Sequence, residues 1–266
     1  MLEPQQVPAG PFEIAYVESG SGEPLIMCHG NEADRRQYDG LRPLLTPGIH
    51  ALSYDQRDTG DTTGFTGDYT MADLGRDCIA FIAALGLESA HVLGTSFGGM
   101  VAMHAALARP DRVRSLVLIS TSPAQELFSD AVRGLADRSP EERRAFMAGA
   151  ILSPAAGPEL RAEVATALVG RSPEQSARRF AAMASHDCRD LLPTITAPTL
   201  VLHGSDDPVI PAAAGARIAE LVPGATLHVL EGLRHGLTFE GRARTAQLVS
   251  EFVLARSDAS SPGLHP

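Results

Sequence analysis

Ser96 stands in the run Gly94-Thr95-Ser96-Phe97-Gly98, with Gly99 next. His91-Val92-Leu93 before it carries a short apolar strand signal, and Met100 to Leu107 after it a helical one. A strand that turns sharply into a helix at a serine holds the hydroxyl out on a strained elbow. The flanking glycines avoid collisions with the neighbouring strand and helix. A serine hydroxyl is a weak nucleophile alone. It needs a histidine to take its proton and an acid to orient that histidine and stabilise its charged form. Both follow, in the order serine, acid, histidine. An acid lies in His203-Gly204-Ser205-Asp206-Asp207-Pro208-Val209-Ile210-Pro211, after a buried strand, where Asp206 and Asp207 both fit. A histidine lies in Gly232-Leu233-Arg234-His235-Gly236, after the next strand.

These loops need elements to position them. Phe12 to Glu18 alternates as a strand does, and Pro24 to Cys28 is a continuous apolar run suited to a strand buried on both faces, ending at His29-Gly30. A short helix closes over Leu41 to Leu45, and Ile49 to Tyr54 is the next strand. Met71 to Leu85 has helical periodicity and stops at Gly86, and Val113 to Ile119 is a strand. Strand–helix alternation of this kind predicts a parallel sheet with helices on both faces. Between residues 122 and 192 strand signals cease. Four amphipathic stretches take over, at Ala124–Leu135, Glu141–Leu152, Glu159–Val169 and Pro173–Ser185. Ser139-Pro140, Ser153-Pro154 and Ser172-Pro173 each read as a helix start, a capping serine with proline at the first helical position. Alternation then resumes with a strand at Pro198–Leu202, a helix at Pro211–Leu221, a strand at Ala225–Leu230 and a helix at Arg242–Leu254. The expected organisation is an α/β core of residues 1–121 and 193–256, a helical cap at 122–192, and a disordered tail at 257–266. Ligands of open α/β sheets bind at the carboxyl ends of the strands, the edge such an insertion would cover.

Composition narrows the chemistry. The chain has 266 residues, 44% hydrophobic and 20% charged, as expected of a globular domain with a full core. The net charge of −10 argues against nucleic acid or an anionic membrane as partner. All the basic residues are arginine, so Schiff-base, P-loop and lysine-base chemistries are excluded. Cys28, Cys78 and Cys188 are few and far apart, which fits neither a disulfide framework nor a thiolate zinc site. Neither a leader-like N-terminus nor a long apolar run is present, so a cytoplasmic location is expected. No metal-ligand spacing occurs, and no metal or cofactor is expected.

On these residues the chain resembles the α/β-hydrolase superfamily, over its length to about residue 256. The resemblance implies that Ser96 is the nucleophile and His235 the base. Its G-x-x-D-x-x-V/I-P pattern falls on Gly204, Asp207 and Pro211, which makes Asp207 the acid and Asp206 the alternative. It also implies an oxyanion hole from the backbone N–H groups of Phe97 and of Asn31, the residue after His29-Gly30, with the Asn31 side chain as a further candidate. Asp55 to Thr62 resembles the superfamily's D-x-R-G-x-G-x-S loop but has Asp58 where glycine is usual and Thr62 where serine is usual. That version is similar to the loop of bacterial esterases acting on polyketide methyl esters. Arg57 is expected to pin it by ion pairs.

His29, Phe146, Met147, Phe180, Met183 and His186 are candidate pocket residues, with structural packing the competing reading for His29 and His186. Arginines dot the insertion, from Arg133 to Arg179. Most are expected in solvent, and one pointing inward would favour a carboxylate-bearing substrate. The leading expectation is a cofactor-free serine hydrolase of a small carboxylic ester or lactone. The alternatives are a C–C hydrolase of a ring-cleavage product, a thioesterase, or a non-catalytic receptor on the same fold. An aspartate at the elbow would have pointed to haloalkane or epoxide chemistry, but the elbow residue is Ser96.

Overall fold

The computed structural model describes residues 2–256. Its sheet is built of β1 (Gln5–Ala9), β2 (Phe12–Gly20), β3 (Gly22–Cys28), β4 (Gly48–Tyr54), β5 (Ala90–Thr95), β6 (Val113–Ile119), β7 (Thr199–Gly204) and β8 (Thr226–Leu230), in the spatial order β1-β2-β4-β3-β5-β6-β7-β8. The β1–β2 and β2–β4 pairs are antiparallel and all later pairs parallel. β1 escaped sequence reading because Pro8 interrupts it; an edge strand tolerates a residue that cannot donate to a neighbour. In β3, Leu25 to Cys28 are wholly buried, and every residue of β5 is buried. Each large aliphatic side chain so placed contributes about 1.5–3 kcal/mol.

Helices α1 (Met71–Ala84) and α2 (Phe97–Ala108) cover one face of the sheet. A reciprocal Thr70–Asp73 capping box starts α1. Met100, Val101, Ala102, Met103, Ala105 and Ala106 of α2 are all buried, as befits a helix apolar on every side. The other face is closed by α8 (Arg242–Leu254) with Tyr38 and Leu41.

Among the described residues, the chain from β6 to β7 contains no strand. It holds α3 (Asp130–Arg133), α4 (Pro140–Ile151), α5 (Pro158–Ala167) and α6 (Pro173–Ala184); α7 (Ala212–Leu221) then joins β7 to β8. Ser139 and Ser172 cap α4 and α6 with proline next, as their sequences predict. Ser153 does not start a helix. Its N–H and hydroxyl both donate to Glu240, and α5 begins at Pro158 after Gly157. The stretch Ala124–Leu135 is not one helix either: 3-10 turns flank the four-residue α3. The expected helix at Leu41–Leu45 is a 3-10 turn, Arg42–Leu44. The tail expected at 257–266 lies outside the described residues.

Register aligns the strand ends. Cys28 pairs with Gly94, Thr95 with Ile119, Ile119 with Leu202, and Gly204 with Leu230. The loops after β3, β5, β7 and β8 therefore leave one edge of the sheet, carrying His29, Ser96, Asp207 and His235.

Candidate active site

Ser96 lies at φ 55°, ψ −119°, in left-handed space that a residue with a side chain adopts only under constraint. Its N–H donates to the Ile119 carbonyl at 2.8 Å, and its carbonyl accepts from the Gly99 N–H at 2.9 Å and the Thr121 hydroxyl at 2.7 Å. The flanking glycines are obligatory. A Cβ on Gly98 would lie 1.9 Å from the Cys28 carbonyl oxygen, and one on Gly94 would lie 2.1 Å from that of Gly98.

After β7, the buried Asp207 turns its carboxylate inward. Oδ1 accepts from the N–H groups of Val209 (2.9 Å) and Ile210 (3.0 Å). Oδ2 accepts from His235 Nδ1 at 2.8 Å and lies 3.4 Å from His203 Nε2. Burial pushes this carboxyl up, but the charge of His235 and the hydrogen bonds from His203 and His235 outweigh it and hold the group below the ordinary carboxylate value. An ionised carboxylate only accepts, so His235 carries its proton on Nδ1 and leaves Nε2 free to take another. That Nε2 is buried and has no hydrogen bond among the described residues, Ser96 Oγ included. Asp206, by contrast, is exposed and accepts from the Ser205 hydroxyl.

The turn after β3 closes the opposite wall. Gly30 N–H donates to Gln37 Oε1 at 2.8 Å. His29 donates from Nδ1 to the Gly30 carbonyl (2.8 Å) and accepts at Nε2 from the Gln56 N–H (3.3 Å). Burial, then the charges of Arg179 and Arg171, depress the His29 pKa and keep the ring neutral. A Cβ on Gly30 would stand 3.8 Å from the Ser96 Cβ, which fixes how closely this turn faces the elbow. The Asn31 N–H meets no acceptor among the described residues. The Phe97 N–H, first in α2, has no intrahelical partner. The Asn31 side chain is engaged at both ends, accepting from Arg179 Nε (3.1 Å) and donating to Glu32 (3.1 Å).

A small cavity of about 40 Å³ opens beside His235, lined by Gly30, Gln37, Met147, Ile151, Leu168 and Phe239 among others. Of the six candidate pocket residues, Met147 lines it. His29 is sealed behind the turn. Phe146 and Phe180 lie under Arg138 and Arg143, and Met183 joins the core cluster that also holds α1 and α2. His186 donates from Nε2 to the Ser122 carbonyl at 3.0 Å and meets His104 at 3.4 Å, inside the junction where the helical segment leaves the core. A larger concavity, about 720 Å³, lies at the amino-terminal end of the parallel strands around Gly20, Thr46 and Gly48, away from all this chemistry.

In the loop from Asp55 to Thr62, Arg57 pairs with Asp77 (2.5 and 2.8 Å) and stacks on Phe12 and Phe65, so it pins the loop. Asp58 sits at φ 59°, the reason glycine is usual there, and takes a two-pronged ion pair from Arg178 of α6 (2.6 and 2.9 Å). Sequence reasoning missed Ile151, Phe239 and Gln37, whose proximity to His235 is a product of folding. It also left Arg179 unresolved among the arginines of residues 122–192. A signal was there: Arg179 shares the inward stripe of α6 with Ser176 and Met183, at helical spacing.

Among the described residues, no group of three or more His, Cys, Asp or Glu is placed to hold a metal ion, and no helix is long and apolar enough to cross a membrane.

Comparison with known proteins gives consistent relatives. Residues 25–248 match the model of the "Alpha/beta hydrolase family". A Caulobacter protein named "Putative carbamate hydrolase RutD" is 32% identical over 248 residues, 84% of this chain and 92% of that one. A 2-hydroxymuconate semialdehyde hydrolase of a Pseudomonas species is 29% identical, over 92% of this chain and 91% of its own. Among solved structures, a thermophilic esterase from Thermogutta terrifontis, with malate bound, superimposes with a TM-score of 0.82 at 26% identity, covering 96% of this chain and all of that one.

Proposed function

The chain belongs to the alpha/beta hydrolase family and is an enzyme that hydrolyses ester-like bonds, and on that premise we propose that it cleaves a small carboxylic ester or lactone through an acyl-enzyme on Ser96. The observation that carries this reading is the placement, at one edge of the sheet, of a serine forced into left-handed backbone and a histidine whose Nδ1 is held by a buried carboxylate. In the proposed reaction, His235 Nε2 takes the Ser96 proton as Oγ adds to the substrate carbonyl. The Asn31 and Phe97 N–H groups receive the negative charge that develops on the carbonyl oxygen. His235 then hands its proton to the departing alkoxide, and an ester links Ser96 to the acyl group. Water, deprotonated by the same nitrogen, adds to that ester and releases the acid. Asp207 holds the tautomer and stabilises the imidazolium.

Residues 122–192 are proposed as a cap, with Met147 and Ile151 of α4 against the acyl or alcohol group. Met147, Ile151, Leu168 and Phe239 around the cavity beside His235 support a short apolar group there. Buried free thiols at Cys28, Cys78 and Cys188 support a reducing, cytoplasmic setting. The named activities of the relatives leave C–C and carbamate cleavage as competing readings, since each begins with the same attack on a carbonyl. The test is a panel of p-nitrophenyl esters of rising chain length, lactones, a carbamate, a thioester and a vinylogous diketone, run on wild type and Ser96→Ala. Ser96-dependent turnover of short esters or lactones is expected. Turnover of the carbamate, thioester or diketone alone would replace the ester reading, and full activity in Ser96→Ala would reject the mechanism.

A further inference from the structure

Among the described residues, Arg179 is the largest fully buried side chain, 1% exposed. A guanidinium stays charged under nearly all conditions, and burying one is costly unless a carboxylate or a full set of acceptors compensates. Among the described residues, no carboxylate lies within ion-pair distance of it. Its partners are neutral: Asn31 Oδ1 (3.1 Å), the Arg57 carbonyl (3.0 Å), the Thr59 hydroxyl (3.3 Å) and Gln56 Oε1 (3.4 Å). Its flat face lies over the Phe97 ring, 4.1 Å from the centroid. These acceptors, with the nearby charges of Glu32 and Asp58, offset part of the cost of burial, and the placement of a guanidinium at this point of the fold still needs a reason.

The partners supply one. Asn31 and Phe97 are the two residues whose N–H groups the proposed reaction uses, and Arg179 is bonded to one and stacked on the other. The guanidinium fixes the Asn31 side chain from one side while Glu32 holds it from the other. The chain that brings it continues the grip. Arg171 donates to the carbonyls of Ala33 (2.6 Å) and Asp58 (3.0 Å), the Val169 N–H donates to Glu32 O (2.9 Å), and Arg178 pairs with Asp58. The turn from Asn31 to Ala33 is thus held by α6 and the residues leading into it, not by the sheet alone. Its positive field is felt locally, where it helps keep His29 neutral.

We propose that Arg179 is a positioning residue that sets the oxyanion hole, so that the hole reaches working geometry only when α6 is seated on the core. This rests on the acyl-enzyme reading above. The guanidinium acts through Asn31 and Phe97 and keeps its positive charge near the developing oxyanion without touching substrate.

The test needs no knowledge of the substrate. A fluorophosphonate phosphonylates Ser96 through an oxyanion-bearing transition state, so its second-order labelling rate reads the hole directly. That rate is measured on the full chain for wild type, Arg179→Lys, Arg179→Met and Arg179→Gly, with the melting temperature of each. Arg179→Met is expected to label at least ~30-fold more slowly, with Arg179→Lys between it and wild type. Millimolar guanidinium ion is expected to return part of the rate to Arg179→Gly at unchanged melting temperature, which a purely structural role would not produce. Variants that melt lower yet label at the wild-type rate would overturn the proposal. So would a defect confined to turnover of carboxylate-bearing esters, which would make Arg179 a substrate contact. Absence of Ser96 labelling in wild type would remove the acyl-enzyme reading itself, and the proposal with it.

Discussion

Protonation of His186 should cost this protein stability in mild acid. The ring is 3% exposed, donates from Nε2 to the Ser122 carbonyl and therefore accepts at Nδ1 from His104 Nε2. A proton added to Nδ1 would displace that bond and place a charge against His104. Burial lowers the His186 pKa from 6.5 to about 4; the Ser122 carbonyl pulls it back up, His104 adds a smaller push down and Asp187 a smaller pull up. His104 is lowered too, by burial and by Arg76. The sign follows from proton uptake. Between pH 6.5 and about 4 the unfolded chain binds a proton at this site that the folded chain refuses, so stability is intact above 6.5 and falls as pH falls. At pH 5, His186 alone accounts for about 2 kcal/mol of loss relative to pH 8. His186→Gln removes the titration while keeping an N–H for the Ser122 carbonyl. Urea unfolding at pH 8 and pH 5, followed by circular dichroism, should show a pH-dependent drop about 2 kcal/mol smaller in the variant than in wild type. An equal drop in both would refute the assignment of acid lability to this junction. A change in ester specificity at pH 8 would instead return His186 to the substrate pocket.

Other perturbations test the remaining links. Asp207→Asn keeps an acceptor for the Val209 and Ile210 N–H groups but sets an amide donor against His235 Nδ1. It should lower kcat about 10⁴-fold on any ester the wild type turns over, with little change in melting temperature. Gly98→Ala forces a methyl group into the Cys28 carbonyl oxygen, a backbone atom that cannot rotate away, and should cost about 3 kcal/mol or more, read as melting temperature or loss of soluble protein. At Asp58 (φ 59°), both Asp58→Gly and Asp58→Ala lose the Arg178 pair. The glycine variant should stand about 1 kcal/mol closer to wild type, because only alanine pays left-handed strain; equal melting temperatures would contradict that.

Much of the architecture was legible because its signals are local. Apolar runs in β3 and β5, the Ser–Pro starts of α4 and α6, and the bounds of α8 follow from propensity, capping and period, which act within a few residues. Besides the Leu41–Leu45 helix, which is a 3-10 turn, two local readings failed where tertiary contacts competed. Ser153-Pro154 has the form of a helix start, but Glu240 takes the Ser153 donors and α5 begins later. The stretch from Ala124 to Leu135 has the right period, but its residues are divided between short turns that join the segment to the core.

At the site the division is similar. The elbow at Ser96 and the strand-end placement of Asp207 and His235 were readable, since each depends on a strand, a turn and the residues just after it. The choice between Asp206 and Asp207 as partner of His235 could be framed from sequence, but which carboxylate turns inward depends on how the loop packs. Arg179 marks the limit. It lies 148 residues from Asn31 and 120 from Thr59, and its burial follows from a helix docking on two distant loops. Periodicity can place an arginine on an inward stripe, but only the folded chain decides whether that stripe meets solvent, a carboxylate or the turn after β3, because burial and charge compensation belong to the assembled neighbourhood.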